Sequence, residues 1–281
     1  MTPPQGRVIV VTGASAGIGA AAAAALARLG ATVAVVGRSP DRTAEAAARI
    51  GGHAHLADFQ SLDDVRRLAA ELLERYPRID VLANNAGALF ATEARTPDGH
   101  ERTFQVNHLA PFLLTNLLLD RIRESPDGRV IFTCSSQHAH GTIDPADLDG
   151  RHRPYRMYPV YRMTKLAQLL HMQELARRLA GTSATATAFN PGLIATDGYR
   201  DAPGLGTFMG SRLGRRLVPG AEWGARPLVH LASAPGAQDR TGLYFHRAGF
   251  RRPKRPNPRQ ATLAAQLWNH SLSLTDAEDP R

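Results

Sequence analysis

The sequence predicts an α/β fold. It reads as a single doubly wound domain over 1–281, with a mainly parallel seven-stranded sheet flanked by helices. Three observations carry this. Short β-branched apolar runs alternate with helix-length segments along the whole chain, as βαβ units require. The first run ends in a glycine-rich turn followed by a helix. No change of composition and no internal repeat divides the chain.

In order, Arg7–Thr12 is a buried strand by its unbroken apolar run, and Gly17–Leu29 is an alanine-rich helix stopped by Gly30. Thr32–Val36 is a second strand, Asp41–Ile50 a helix and His53–Ala57 a third strand. Ser61 caps a helix over Leu62–Arg75, with Asp63 and Asp64 complementing the dipole of its first turn. Ile79–Ala83 is a strand, Pro97–Leu119 is mostly helical and Arg129–Cys134 is a strand. A long helix covers Val160–Leu179. Thr185–Phe189 and Leu243–Phe245 are strands, Gly220–Ala232 is a helix and Ala261–Leu272 closes the chain as an amphipathic helix. Two irregular stretches, Gln137–Pro159 and Thr196–Pro219, are long enough to suggest substrate-shaping roles. Tyr199, Phe208, Met209, Leu213 and Leu217 in the second could form a lid or simply pack.

Composition sets limits. Of 281 residues 43% are apolar, and the net charge is +9. One cysteine, Cys134, forms no internal disulfide, which fits the cytoplasm. No apolar run is long enough for a membrane anchor or a signal segment. The basic cluster Arg251, Arg252, Lys254, Arg255 and Arg259 is broken by prolines and lacks interleaved aromatics. It reads as a solvated loop, not a nucleic-acid surface.

The turn Thr12-Gly13-Ala14-Ser15-Ala16-Gly17-Ile18-Gly19 lies between a strand and a helix. Its glycines let the backbone approach a pyrophosphate, and the helix N-terminus offers N–H groups to it. This makes the fold Rossmann-type, although an ordinary βα turn is the plainer alternative for a glycine-rich loop alone. The second strand ends in Gly37-Arg38-Ser39 with no acid to bind a ribose hydroxyl. Arg38 instead suits a 2′-phosphate, so the expected cofactor is NADP (NADPH). Asp58 and Phe59 follow the third strand, where the Asp58 carboxylate could accept from an adenine amino group or serve as a turn or cap residue.

Tyr161 and Lys165 share one helix face four residues apart. A nearby ammonium favours the phenolate and makes a tyrosine a usable acid–base group. Only two lysines occur in the chain, and one is here. Arginine could replace lysine on a solvated surface but not beneath a phenol. Tyr155 and Tyr158 lack a lysine at the fourth position on. Ser135 and Ser136 end the 129–134 strand, where ligands gather in parallel sheets. His138 and His140 follow on the loop, where a histidine is usually solvated. Cys134 points into the core on the simplest reading.

These motifs together resemble the short-chain dehydrogenase/reductase family. Beside the glycine loop, Ser135-Ser136 and Tyr161-x3-Lys165, the chain carries Asn84-Asn85-Ala86-Gly87, Val106-Asn107-His108-Leu109 and Asn190-Pro191-Gly192 followed by Thr196. The 25 positions between Ser136 and Tyr161 exceed the usual spacing and are similar to the retinol dehydrogenase-like branch. Val106–Thr115, Lys165–Leu179 and Leu267-Trp268-Asn269-x-Ser271 also resemble it. Ala110-Pro111 and Thr164 depart from the family pattern, and the membrane anchor of animal members is missing.

The resemblance implies roles. Tyr161 would exchange a proton with the substrate oxygen, Lys165 would hold the nicotinamide ribose, and Ser136 would orient the carbonyl. Asn107 would hold a helix kink and a water. Gly13, Ala16, Gly17, Ile18 and Gly19 would cradle the pyrophosphate, with Arg38 at the 2′-phosphate, where Ser15 and Ser39 would add hydroxyl donors or serve simply as turn residues. Asn85, Ala86 and Gly87 would line the adenosine side, and Pro191, Gly192, Ile194 and Thr196 the nicotinamide side. The expected function is NADPH-dependent reduction of a ketone or aldehyde, or oxidation of the alcohol, on a lipophilic or polycyclic small molecule. The alternatives are non-redox chemistry on the same fold and an NADP-binding regulator without activity. A homo-oligomer is compatible with the family, and no metal is expected.

Overall fold

The computed structural model describes residues 5–194, 211, 218–236, 238–246, 251–254 and 259–279. The strands are β1 (Val8–Thr12), β2 (Thr32–Gly37), β3 (His53–Leu56), β4 (Val81–Asn84), β5 (Arg129–Thr133), β6 (Thr185–Asn190), β7 (Tyr244–His246) and β8 (Arg251–Lys254). They form one sheet in the order β3-β2-β1-β4-β5-β6-β7-β8. The first seven are parallel to one another. β8 adds an eighth strand antiparallel to β7, pairing Tyr244 with Lys254 and His246 with Arg251. This corrects the expectation of a loop at 251–254. An edge strand tolerates charge and a proline, so it shows no apolar alternation by which to recognise it.

The helices are α1 (Gly17–Arg28), α2 (Pro40–Ala48), α3 (Leu62–Arg75), α4 (Arg102–Phe104), α5 (Ala110–Arg123), α6 (Met157–Arg178), α7 (Ala221–Ser233) and α8 (Arg259–Thr275). Side chains alternate across the strands, and the alternation builds two cores. Ile9, Val11, Val33, Val35, Ile131 and Phe189 face α1, α2 and α7. Val10, Val36, Leu82, Val130, Phe132 and Ala188 face α3, α5, α6 and α8. The Ser61 cap of α3 is present, its Oγ accepting from Asp64 N at 3.2 Å. None of the helices is long and apolar enough to cross a membrane, among the described residues.

Two expected elements change. Pro97–Leu119 becomes α4, a π turn at Gln105–Leu109 and α5, beginning at Arg102. Pro111 explains the π turn. It lacks the N–H that the Asn107 carbonyl would accept in a regular helix, so the ladder slips by one residue just before it. The irregular stretch Gln137–Pro159 contains a 3₁₀ turn at Ser136–His140 and ends at Arg156, because Pro159 sits in the first turn of α6. Most of Thr196–Pro219, including the five apolar residues weighed as a lid, lies outside the described residues.

β1 and β4 are neighbours whose following connections leave in opposite directions, toward β2 and β5 respectively. Doubly wound sheets open a crevice at such a switch point, beyond the carboxyl ends of the strands.

Candidate active site

Two adjoining cavities occupy that crevice. One, of about 240 Å³, is walled by the glycine loop, Asn85–Ala88, Thr133–Ser135, Tyr161, Lys165 and the Asn190–Ile194 turn. The other, of about 360 Å³, is walled by Ser15, Arg38, Ser39, Arg42 and Phe59. They share Gly13, Ala16 and Ala86–Ala88 as walls.

The glycine loop is shaped by what a side chain would hit. Gly13 has φ +65°, and a Cβ there would lie 3.0 Å from the Ala86 Cα. A Cβ at Gly19 would strike the Gly13 carbonyl and stand 2.6 Å from Asn85 Nδ2. The loop is stitched to the next crossover by Thr12. Its Oγ1 accepts from the N–H of Asn85 and of Ala86, both at 3.0 Å, and donates to Ala83 O at 3.2 Å. Asn85 spends its side chain on the protein: Nδ2 donates to Thr12 O at 2.9 Å, and Oδ1 accepts from Thr133 Oγ1 at 3.2 Å. Thus Asn85 fixes the cavity wall by joining β1, β4 and β5.

At the other cavity, Arg38 just past the end of β2 and Arg42 in the first turn of α2 are both exposed and both line the wall. Arg42 was missed in the sequence, where its place four residues beyond Arg38 was the available signal. Ser15 packs against Gly37, where a Cβ would come within 3.0 Å of it. Phe59 is buried and lines this cavity; Asp58 does not line it. The Asp58 carboxylate turns back instead to accept from Gln60 N at 3.0 Å.

Tyr161 and Lys165 stand side by side, with Lys165 Nζ 5.5 Å from the centre of the Tyr161 ring. The ammonium is buried. It donates to Gln168 Oε1 at 2.7 Å and to the Thr133 carbonyl at 3.3 Å. Burial pushes Lys165 down to about 8 from its ordinary 10.5. Gln168 was also missed, although it lies three residues on along the same helix. Gly87 leaves the space above this ammonium, since a Cβ there would sit 3.4 Å from Nζ. Cys134 is buried, its thiol 3.2 Å from the Lys165 carbonyl.

Asn107 is fully buried in the π turn. Its Oδ1 accepts from Ala88 N at 2.8 Å, while Nδ2 donates to Ala88 O at 2.9 Å and to Thr164 Oγ1 at 3.1 Å. It therefore positions the cavity-lining Ala88 backbone. Asn107→Ala would leave both Ala88 groups without their partner and is expected to cost on the order of 2 kcal/mol. A urea midpoint unchanged from the parent would refute that role.

The two serines part company. Ser135 is buried and lines the cavity, and its Oγ accepts from Gln137 N at 3.3 Å. Ser136 is exposed one residue farther on, at the start of the 3₁₀ turn. His138 corrects the expectation of a solvated loop side chain. It is half-buried, with Nδ1 2.6 Å from the Ser135 carbonyl and its ring edge-on to Tyr244 at 4.7 Å. The tight 3₁₀ turn folds it back onto the strand end. His140 is exposed as expected. Pro191, Gly192 and Ile194 line the Tyr161 cavity; Gly192 has φ +88°, which glycine alone adopts without strain. Thr196 lies outside the described residues.

Residues 7–203 match the family model described as short chain dehydrogenase. Human retinol dehydrogenase 13 is 37% identical over 286 residues, covering 98% of this chain and 86% of that protein. A protein of Streptomyces sp. (strain C5) named "Putative daunorubicin C-13 ketoreductase DnrU" is 40% identical over 274 residues, covering 95% of this chain and 92% of that one. The crystal structure of a Burkholderia cenocepacia J2315 short chain dehydrogenase in complex with NADP superposes with a TM-score of 0.70 at 26% identity, covering 88% of this chain and 98% of that one. With a sheet of the same kind and a matched sequence over most of its length, the chain belongs to the short chain dehydrogenase family.

Proposed function

We propose that the protein is an NADPH-dependent reductase of ketones or aldehydes on lipophilic small molecules, also able to run the alcohol oxidation. The observation that carries this reading is the Tyr161–Lys165 pair, set on one wall of a cavity that adjoins an arginine-lined one. The cofactor fits the residues present. The glycine loop has no room for side chains at Gly13 and Gly19, and N–H groups at the start of α1 face the same space. Arg38 and Arg42 offer two guanidinium groups where a ribose phosphate would sit. Two of the compared proteins bear names of carbonyl or alcohol chemistry on retinol and on daunorubicin, and a third was crystallised with NADP.

NADPH, when bound, supplies the hydride. In the reductive direction the Tyr161 hydroxyl donates its proton to the substrate oxygen. The Lys165 ammonium, 5.5 Å from the ring, lowers the cost of the phenolate left behind. The Ser136 hydroxyl orients the carbonyl, although Ser135 and not the exposed Ser136 lines the cavity as it stands. Asn107 holds the Ala88 backbone, and with it the wall between the two cavities. Exposed apolar side chains next to two lining segments support a lipophilic substrate. Leu193 is 50% exposed between Gly192 and Ile194, and Tyr158 is 39% exposed one turn before Tyr161.

The test is a panel of lipophilic ketones, aldehydes and alcohols with both phosphorylated and unphosphorylated nicotinamide cofactors, read by reduced-nicotinamide absorbance. Turnover with NADPH on at least one carbonyl supports the reading. Product formed without NADPH consumption would assign non-redox chemistry instead. For the cofactor, Arg38→Asp is expected to lower the preference for NADPH over NADH by about 100-fold, and Arg42→Ala by about 10-fold, from lost charge-assisted bonds. An unchanged preference in both would sink the phosphate assignment.

A further inference from the structure

Between the 3₁₀ turn and α6, residues 141–156 run as an irregular strap. Leu148 is its apolar anchor, buried in the core shared with α3, α5 and α6. Its polar contacts converge on the loop between β4 and α4, whose first part lines both cavities. Asp149 is the hub. Oδ1 accepts from Glu101 N at 2.9 Å, and Oδ2 lies 3.0 Å from Arg95 Nη1. The Asp149 carbonyl also accepts from Arg95 Nη1, at 2.9 Å. Farther along the strap, the Tyr155 hydroxyl donates to the Phe90 carbonyl at 2.6 Å. Phe90 lines the arginine-walled cavity, and Tyr155 stands six residues before Tyr161.

We infer that Asp149 and Tyr155 are positioning residues that couple the strap to cofactor binding. The loop at 86–101 has almost no regular structure of its own, one isolated bridge between Arg95 and Glu101 apart. Much of its conformation is set by what holds it from outside, and the strap holds it at Phe90, Arg95, Gly99, His100 and Glu101. A ligand lying against Ala86–Phe90 orders that loop from one side, and the strap orders it from the other. Each reduces the conformational freedom the other must remove, so the two stabilise one another without touching. The same strap leads into the helix that carries Tyr161 and Lys165. Filling the arginine-walled cavity thereby firms the substrate-side wall before a carbonyl compound arrives.

The inference rests on the proposed cofactor site, and amide hydrogen exchange separates the two. With the full-length protein and NADPH as probe, exchange is expected to slow at 13–19 and also, by about fivefold or more, across 144–156. Protection at 13–19 with none at 144–156 overturns the coupling alone; protection at neither overturns the cofactor reading with it. In Asp149→Ala and Tyr155→Phe the strap's protection falls while that at 13–19 persists. Coupling is reciprocal, so NADPH affinity drops in each variant, by up to the factor by which NADPH protects the parent strap. Asp149→Asn keeps the acceptor for Glu101 N and recovers part of both. Variants that lose the protection yet bind NADPH as the parent does would refute the coupling.

Discussion

Tyr161→Phe is expected to lower kcat by about 10³-fold or more while leaving the dissociation constant for NADPH within about threefold of the parent. The substitution removes one oxygen and keeps the ring whose centre lies 5.5 Å from Lys165 Nζ. The wall of the cavity is retained, and so is every contact the ring makes by shape. What is lost is the proton donor. The substrate oxygen must then take its proton from water, which carries no positioning advantage in a preformed site. A fall in kcat without a change in cofactor affinity is the signature of a group that acts in the transition state. NADPH titration by fluorescence and single-turnover rates on the same preparation make the comparison. A variant that retains a tenth or more of the parent kcat would remove Tyr161 from the chemistry and shift attention to Ser136.

The sheet was legible because apolar runs of β-branched residues have few other uses, and their alternation assigns each side chain to one of the two cores. The glycine loop and the Tyr161–Lys165 pair were legible for a related reason: each is local, with its partners within one turn or one loop. Arg42 and Gln168 were within reach by the same rule, at four and three residues from a residue already singled out. Contacts made across long separations were not. Asn107 meets Ala88, Asp149 meets Glu101 and Tyr155 meets Phe90 only once the fold has brought them together, and nothing in the spacing of these residues announces it. β8 escaped because an edge strand of Arg, Arg, Pro and Lys has the composition of a loop. His138 escaped because its burial follows from the path of the backbone at the strand end.

Lys165→Met carries the second large effect, with opposite signs for activity and for stability. The parent ammonium is buried and held at 10.5 in the unfolded chain but at about 8 in the folded one. Between these values the unfolded chain binds more protons, so stability rises with pH through that window and the full cost is present below about 8. The span of 2.5 in pKa corresponds to about 3 kcal/mol. Methionine fills the same volume with no charge to desolvate. It leaves the Gln168 and Thr133 oxygens without their donor, which offsets about 1–3 kcal/mol of the gain. At pH 7 the variant is therefore expected to be at least as stable as the parent. From pH 8 to 10.5 the parent should gain on it by about 3 kcal/mol. Burial pushes the Cys134 thiol up to about 11, but that group titrates in both proteins and largely drops out of the difference. Turnover in the variant should fall by about 100-fold or more, because the phenolate loses its cation. Thermal unfolding of the cofactor-free pair from pH 7 to 10.5, set beside their turnover, checks both signs. A variant markedly less stable at pH 7, with a difference that does not move with pH, would show that the ammonium stabilises the fold. The lysine would then be part of the scaffold and not a charge kept, at a cost to the fold, for the tyrosine beside it.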